Sequence, residues 1–306
     1  MPNIIGRRKL FLSISGALIA LSLIFLAVFG LKSGIDFSAG SLLTVAFDST
    51  PTLADLKNEL SNQGYSTAIV QETGTQDFII RLPTLTDAEK NSLEDGLEAT
   101  LGTLTERGFE TVDPVIASQT SRIALIAVAL AAVGILLYLT YAFRRMPKPL
   151  HYGTGAVIAV LHDVLAVLGI YAALAAAFGW EINLVFIIGI LAVIGYSVNN
   201  TVVVFDRIRE NKLRGVAPTF EGVVNRSISE TLVRSLNTSL TTIIVVLALM
   251  LFVGTTIQNL AAVMLIGIIV GTYDSVFVAP AILVIWDNFD RRRIGATTSR
   301  PVSAKS

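Results

Sequence analysis

The stretch that decides the fold is residues 195–211, which reads GYSVNNTVVVFDRIREN. It begins as apolar, membrane-type sequence, places two amides side by side at Asn199 and Asn200, and returns to apolar residues after Thr201. It ends in alternating charges, which are carried by Asp206, Arg207, Arg209 and Glu210. Polar groups inside an apolar run are costly in lipid, so the pattern predicts a membrane helix with a functional polar interior and a solvated, charged end.

The composition of the whole chain agrees with a membrane protein. Of its 306 residues, 53% are hydrophobic, and the mean hydropathy is +0.69, which is too apolar for an ordinary soluble domain. The 23 basic and 23 acidic residues cancel, so net charge gives no reason to expect a nucleic-acid partner. The absence of cysteine excludes disulfides and thiolate metal sites. The two histidines are not in the His-x-x-x-His spacing of a zinc-binding helix, so we expect neither a metal nor a cofactor.

Six apolar runs are long enough to cross about 30 Å of hydrocarbon. They cover residues 10–31, 123–143, 154–178, 182–205, 236–253 and 258–286. The first run could instead belong to a cleaved signal peptide. Its length exceeds the usual apolar stretch of such peptides, and it continues directly into Lys32, so the sequence favours an uncleaved anchor.

The basic residues indicate how the chain is oriented. Clusters at residues 7–9, 144–148, 207–214 and 291–293 all fall on one side of the predicted spans, which predicts two cytoplasmic termini. Acidic side chains far outnumber basic ones in the one large soluble segment, which falls on the other side. The predicted organisation is a first span within residues 1–31, an extracytoplasmic domain at 32–118, a five-helix bundle at 119–287 and a basic cytoplasmic tail at 288–306.

The soluble segment has the periodicity of a small α+β domain. Strand patterns cover residues 41–47, 66–71, 78–82 and 109–115, with a turn at Gly74 between the second and third. Helical patterns cover residues 52–63 and 86–101, and Thr86 is a candidate N-cap before Glu89. The order β-α-β-β-α-β predicts a ferredoxin-like arrangement.

Six polar residues inside the predicted bundle are candidates for function. They are His162 and Asp163 in the third span, Asn199 and Asn200 in the fourth, Arg234 before the fifth and Asp274 in the sixth. Each has a simpler interpretation. His162 or Asp163 could serve only as a hydrogen bond between helices, Arg234 could extend to the headgroups, and the hydroxyl-rich run after Arg234 could be packing.

Several motifs resemble the SecF family, which is the smaller partner in the SecD–SecF protein-export complex. GIDFSAG at 34–40, LHDVLAVLGIY at 161–171 and residues 195–211 carry the resemblance, together with NRSISETLVRSLNTSLTT and IGIIVGTYDSVFVA. The motif residues are Gly34, Asp36, Phe37, Gly40, Asp206, Arg207, Arg209, Glu210 and Asn211. The resemblance implies six transmembrane helices, similar to half of an RND transporter, in a bacterial cytoplasmic membrane. It also implies pairing with SecD beside the SecYEG channel, and use of the proton-motive force to complete preprotein export.

The chain departs from that family pattern in three places. The fourth-span motif usually reads Asn-Asp where this chain has Asn199 and Asn200, and the missing aspartate is the one associated with proton movement. An amide cannot exchange a proton near neutral pH, so either Asn200 is a substitution that resembles a permanently protonated carboxyl, or the proton site has moved. The sixth-span motif usually has Ser where this chain has Asp274, so we expect Asp274 to have taken over the proton-carrying role, facing Arg234 and Asp163. Ala39 also replaces a glycine, and a position that needs positive φ would resist it.

Two other functions fit parts of the sequence. An RND-type exporter of small molecules or lipids would work without the export channel, and a structural partner subunit would need no proton coupling. No nucleophile–base pair or phosphate-binding loop is evident, so we do not expect an enzyme.

Overall fold

The computed structural model describes residues 3–72, 77–252 and 255–298. In chain order its helices and strands are α1 (Arg8–Phe29), α2 (Ile35–Ser38), β1 (Gly40–Phe47), α3 (Leu53–Asn62), β2 (Ile69–Glu72), β3 (Asp77–Leu82), α4 (Asp87–Leu101), β4 (Leu104–Val112), α5 (Pro114–Ala142), α6 (Pro149–Phe178), α7 (Leu184–Leu213), α8 (Phe220–Phe252), α9 (Thr255–Tyr273) and α10 (Ala279–Thr298). A single π-helical turn, Asp274–Val278, joins α9 to α10.

Six helical segments in the described residues are long and apolar enough to cross a membrane, which confirms the predicted number. Several of these helices extend beyond the predicted bounds, and three of them do so by nine residues or more. α5 begins at Pro114, since proline is favoured in a first helical turn. α8 begins at Phe220 because Val224, Ile228 and Thr231 recur at helical spacing and are buried. α10 continues to Thr298, beyond residue 286.

The chain divides into two compact units, of which the first holds the membrane helices. It comprises residues 1–30, 127–177 and 185–306. The segment from α9 to α10 is its centre, because 72% of its most apolar window is buried, against 11% for α1 and for α5. Phe143, Tyr152 and Phe205 form an aromatic cluster between α6, α7 and the end of α5, with ring centroids 4.9 to 6.2 Å apart.

The second unit comprises residues 31–126 and 178–184 and contains the small sheet. Its strand order is β2-β3-β1-β4, with every pair antiparallel, which confirms the ferredoxin-like arrangement. The core lies between the sheet and its two helices; Leu43, Leu56, Phe78, Ile80 and Leu97 are at most 1% exposed. Burial of these apolar side chains stabilises the domain.

Two strand predictions in this unit need correction. The fourth strand is β4, which begins at Leu104 rather than at residue 109 and ends at Val112 rather than at residue 115. The Asp113 carboxylate accepts a hydrogen bond of 2.8 Å from the Val115 amide, and Pro114 already begins α5. The second strand begins at Ile69 because Ala68 closes a turn with Tyr65. The Gly74 turn lies outside the described residues.

The N-cap prediction at Thr86 is confirmed. The Thr86 hydroxyl accepts from the Glu89 amide, and the Glu89 carboxylate accepts from the Thr86 amide at 2.8 Å, which makes a complete capping box at the start of α4.

Candidate functional site

Three ionisable side chains meet inside the membrane unit. His162 and Asp163 are consecutive residues of α6, and Asp274 opens the π-helical turn after α9. Asp163 is 1% exposed and Asp274 is fully buried, whereas the His162 side chain is 9% exposed. The Nδ1 atom of His162 lies 3.1 Å from Oδ1 of Asp163 and 3.5 Å from Oδ1 of Asp274. We call these three residues the buried triad.

Hydroxyl groups from two other helices hold the triad in place. Ser15 of α1 lies with its Oγ 2.6 Å from Nε2 of His162, so both ring nitrogens of the histidine have polar neighbours. Ser197 of α7 donates a hydrogen bond of 2.5 Å to Oδ2 of Asp163. The triad therefore links three helices and the π-helical turn.

Asp274 differs from Asp163 in its hydrogen bonding. Within the described part of the chain, neither carboxylate oxygen of Asp274 has a hydrogen-bond partner, although both are buried. A buried polar group without a partner carries a free-energy cost, and π-helical turns are frequent at functional sites. A purely structural role therefore accounts for Asp274 less well than for the other two residues of the triad.

The triad could also accommodate a cation. One ligand atom from each of His162, Asp163 and Asp274 lies within 4.8 Å of the others. The spacing of histidines within one helix could not reveal this set, because its ligands come from two segments far apart in the sequence.

A second polar chain, without an ionisable group, runs beside the triad. Asn200 of α7 is 3% exposed and donates a hydrogen bond of 3.5 Å to the Ser239 hydroxyl of α8. The Ser239 hydroxyl lies 2.6 Å from that of Thr272, and Thr272 donates to its own helix at Ile268. The position expected to carry an aspartate thus remains buried and hydrogen-bonded, but as an amide.

The structure does not bring Arg234 to the triad, so the prediction that Asp274 faces Arg234 is wrong. Arg234 lies on an exposed face of α8, and it has no ion pair among the described residues. Ser235 and Ser239 occupy the buried face instead, because a helix turns by about 100° per residue. Asn199 is likewise exposed, because it lies about 100° around α7 from the buried Asn200.

Among the residues that the structure describes, Ser239 is the one hydroxyl of the run after Arg234 that forms a hydrogen bond to another helix. Thr238 and Thr241 are exposed and Thr242 is half-buried, and all three donate to carbonyl groups one turn earlier in α8. Such bonds satisfy the hydroxyls within one helix, which agrees with a packing role.

The charged end of α7 is more than a solvated helix end. Arg207 donates to Glu230 of α8 at 2.7 Å and also contacts Glu210, and the buried Asn211 donates to the same Glu230 at 2.8 Å. The neighbouring side chains of Asp206 and Arg209, 2.7 Å apart, pair within α7. The motif joins α7 to α8.

Comparison with known proteins identifies the family. The family described as "Protein export membrane protein SecD/SecF, C-terminal" matches residues 92–289. The protein translocase subunit SecF of Thermobaculum terrenum is 42% identical over 99% of this chain and 100% of its own length. The chain belongs to the SecF family. Another SecF, from Haemophilus influenzae, is 34% identical over 90% of this chain and 83% of its own length.

Longer proteins contain a SecF-like part. The translocase subunit SecDF of Thermus thermophilus is 35% identical over 85% of this chain, which spans 35% of that protein. The crystal structure of SecDF, described as a translocon-associated membrane protein, matches with a TM-score of 0.82 and 34% identity, over 94% of this chain and 39% of that structure. The chain is therefore a multi-pass membrane protein related to translocase subunits involved in protein export.

The SecF-family motif after α1 has a structural role in the second unit. The Asp36 carboxylate accepts from the Leu184 amide at 2.8 Å, and the Gly34 amide donates to the Ile182 carbonyl at 2.8 Å. A Cβ atom at Gly40 would lie 2.6 Å from the Leu82 carbonyl oxygen, and its φ is 121°, so only glycine fits there. Phe37, half-buried, closes a turn onto Gly34.

Ala39 adopts the conformation that its glycine counterpart would favour. Its φ is 62°, in the region that side chains rarely enter, and it caps α2 by donating to the Ile35 carbonyl. The substitution is thus accommodated with backbone strain.

Sequence reasoning missed three residues of the site. Ser15 lies in an apolar run, and Ser197 and Thr272 are single hydroxyls in apolar helices, so none has a distinctive signal. Their importance follows only from which helices pack together.

Proposed function

We propose that this chain works with a SecD-type partner at the SecYEG channel and uses the proton-motive force to promote late steps of preprotein export. The observation that carries this proposal is the buried triad. Two carboxylates and a histidine inside membrane helices cost free energy, and such groups typically mark the path of an ion. The name of the Thermus relative, SecDF, supports the pairing with SecD. Both termini are cytoplasmic in this proposal, and residues 32–118 meet the emerging polypeptide outside.

Asp274 is the proton carrier in this mechanism, with Asp163 and His162 as its partners. Gain or loss of a proton changes the number of charges in a fully buried site, and therefore changes which packing of the surrounding helices is lowest in free energy. A membrane potential of about 150 mV supplies about 3.5 kcal/mol per charge moved, which is enough to shift such an equilibrium.

The contacts beside Asp274 suggest how the change is transmitted. The Tyr273 hydroxyl donates to the Phe11 carbonyl of α1 at 2.7 Å, and the Phe11 ring stacks on Phe277 at 4.3 Å. A rearrangement of the π-helical turn would therefore displace α1. In sequence, α1 leads directly into the second unit, so in this mechanism α1 transmits the change to the domain outside.

The test is preprotein export in vesicles that contain this chain with its SecD partner, driven by an imposed proton gradient. Asp274→Asn keeps the shape of the side chain but removes its proton exchange, so we expect the gradient-dependent part of export to fall at least tenfold while export without a gradient is unchanged. Asp206→Asn is the matched control, because that carboxylate is 55% exposed at the helix end.

The same assay separates the alternatives. Full gradient-dependent export by Asp274→Asn would refute the carrier role. Absence of any gradient dependence in the unaltered chain would favour a structural partner subunit, and failure to co-purify with SecD or the channel would favour an independent exporter.

A further inference from the structure

A cavity of about 310 Å³ lies at the end of the bundle, away from the triad. Its floor is apolar and includes Tyr152, Phe220 and Leu283, of which Tyr152 is 3% exposed. Its rim is charged and includes Lys148, Lys212, Asp287 and Asp290. An apolar floor beneath a charged rim suits an amphipathic ligand rather than a small ion.

The position of the cavity corresponds to the headgroup level of a membrane. Tyr152 lies two residues before the apolar run at 154–178, and Asp287 directly follows the apolar run at 258–286. Both belong to segments long and apolar enough to span a membrane, so the cavity lies where these segments leave the hydrocarbon, and basic pockets at that depth are typical sites for lipid headgroups.

Lys212 is the cation of the rim that remains available for an anion. It is half-buried, and its ammonium lies 4.5 Å from the centroid of the Phe220 ring. No carboxylate among the described residues lies within ion-pair distance of it. A phosphate placed here would gain a charge-assisted hydrogen bond without first breaking a salt bridge.

The two carboxylates of the rim restrict the headgroup further. Asp287 pairs with Arg291 at 2.7 Å, and Asp290 pairs with Lys148. A headgroup that is only anionic would face both carboxylates, whereas one that also carries an ammonium group can donate hydrogen bonds to them. Lys148 has a φ of 57°, an uncommon conformation for a residue other than glycine, so local strain accompanies its place at the rim.

We propose that this cavity binds the phosphoethanolamine headgroup of a membrane phospholipid. The phosphate lies against Lys212, the ammonium group lies toward Asp287 and Asp290, and the glycerol end rests on the apolar floor. The site is independent of the proton site and of the proposed role in export.

Native mass spectrometry of the full chain in detergent tests the proposal. The chain is incubated with equal amounts of phosphatidylethanolamine, phosphatidylcholine and phosphatidylglycerol that have identical acyl chains. We expect about tenfold greater retention of phosphatidylethanolamine than of the other two. Phosphatidylcholine is the decisive comparison because its quaternary ammonium has the same charge but no hydrogen to donate.

Variants locate the site. Lys212→Gln should abolish the preference for phosphatidylethanolamine and Lys212→Arg, which keeps the charge, should retain it, whereas Lys57→Gln on the exposed surface of α3 should change nothing. If Lys212→Gln fails to fold, the comparison of the three lipids and the behaviour of Lys212→Arg still test the proposal. Equal retention of the three lipids overturns the proposal, as does undiminished preference in a folded Lys212→Gln protein. Displacement of the lipid by an equal concentration of free phosphoethanolamine overturns the assignment to a lipid.

Discussion

The Nδ1 atom of His162 lies 3.5 Å from Oδ1 of Asp274, a carboxylate more than a hundred residues away in the sequence. The other ring nitrogen of His162 lies 2.6 Å from the Ser15 hydroxyl. The orientation of the histidine toward Asp274 therefore depends on a hydroxyl from α1.

Removal of the Ser15 hydroxyl should loosen this orientation. Ser15→Ala leaves one nitrogen of a nearly buried ring without its partner, which costs about 1–3 kcal/mol. Gradient-driven export in SecD-paired vesicles should fall about three- to tenfold. Ser22→Ala is the matched control on the same helix, because the Ser22 hydroxyl is also buried but has no hydrogen-bond partner among the described residues. Equal effects of the two substitutions would show that Ser15 acts only through packing.

An exchange of two residues tests where the carboxylate acts. Asp274→Ser should abolish gradient-driven export, and the double variant Asn200→Asp/Asp274→Ser should restore part of it, since position 200 is buried and linked to the hydroxyls of Ser239 and Thr272. Asn200→Asp alone should raise export less than twofold, because Asp274 already supplies the carboxylate. A large increase with Asn200→Asp alone would instead mean that this chain carries a disabled proton site, and that Asp274 is secondary.

The amino-acid pattern was sufficient to predict the membrane spans and the small domain. Apolar length determines a span in lipid, and alternation with capping residues such as Thr86 determines the local elements, so both kinds of signal are contiguous in the sequence. The end of the fourth strand was misplaced because Val115 is a good strand residue, whereas Pro114 before it starts a helix.

The site was only partly predictable for a different reason. The costly residues His162, Asp163 and Asp274 are conspicuous in an apolar background, but their partners depend on helix rotation and packing. Arg234 and Ser235 are adjacent in the sequence, yet one is exposed and the other is buried. A shift of one residue turns a helix by about 100°, and neither composition nor span length fixes that rotation.

The capping box at α4 should make the second unit sensitive to acid. The pKa of Glu89 lies below its ordinary value of 4.5 because its carboxylate accepts hydrogen bonds from the Thr86 amide and hydroxyl. Because the pKa is lower in the folded state, the stabilisation by the ionised Glu89 carboxylate is complete above about pH 5. It is lost as the pH falls through the pKa that Glu89 has in the folded protein.

Glu89→Gln should remove this part of the acid dependence, because glutamine can accept the same hydrogen bonds without titrating. The measurement is hydrogen exchange of the first-turn amides of α4 between pH 6 and pH 3.5, corrected for the intrinsic exchange rate. The unaltered chain should lose protection over this range, whereas Glu89→Gln should not. Asp95→Asn, at an exposed position of the same helix, should behave like the unaltered chain. An identical loss of protection in all three proteins would count against the capping carboxylate as its cause.

Close approach of α1 to α6 depends on Gly169. A Cβ atom there would lie 2.3 Å from both Cα and Cβ of Ser22, and the backbone of α1 cannot yield without moving the whole helix. Gly169→Ala should therefore destabilise the membrane unit by about 1–3 kcal/mol, as overpacking typically does. It should also weaken the hydrogen bond between Ser15 and His162, because α1 would move away from α6. The readout is the midpoint of thermal unfolding in detergent, followed by export.

Gly195→Ala supplies the comparison because a Cβ atom at that membrane-helix position meets no atom within 4 Å. It should leave the midpoint unchanged or raise it, since alanine favours a helix by up to about 1 kcal/mol over glycine. A Gly169→Ala protein as stable as Gly195→Ala would show that α1 can move away from α6 at little cost.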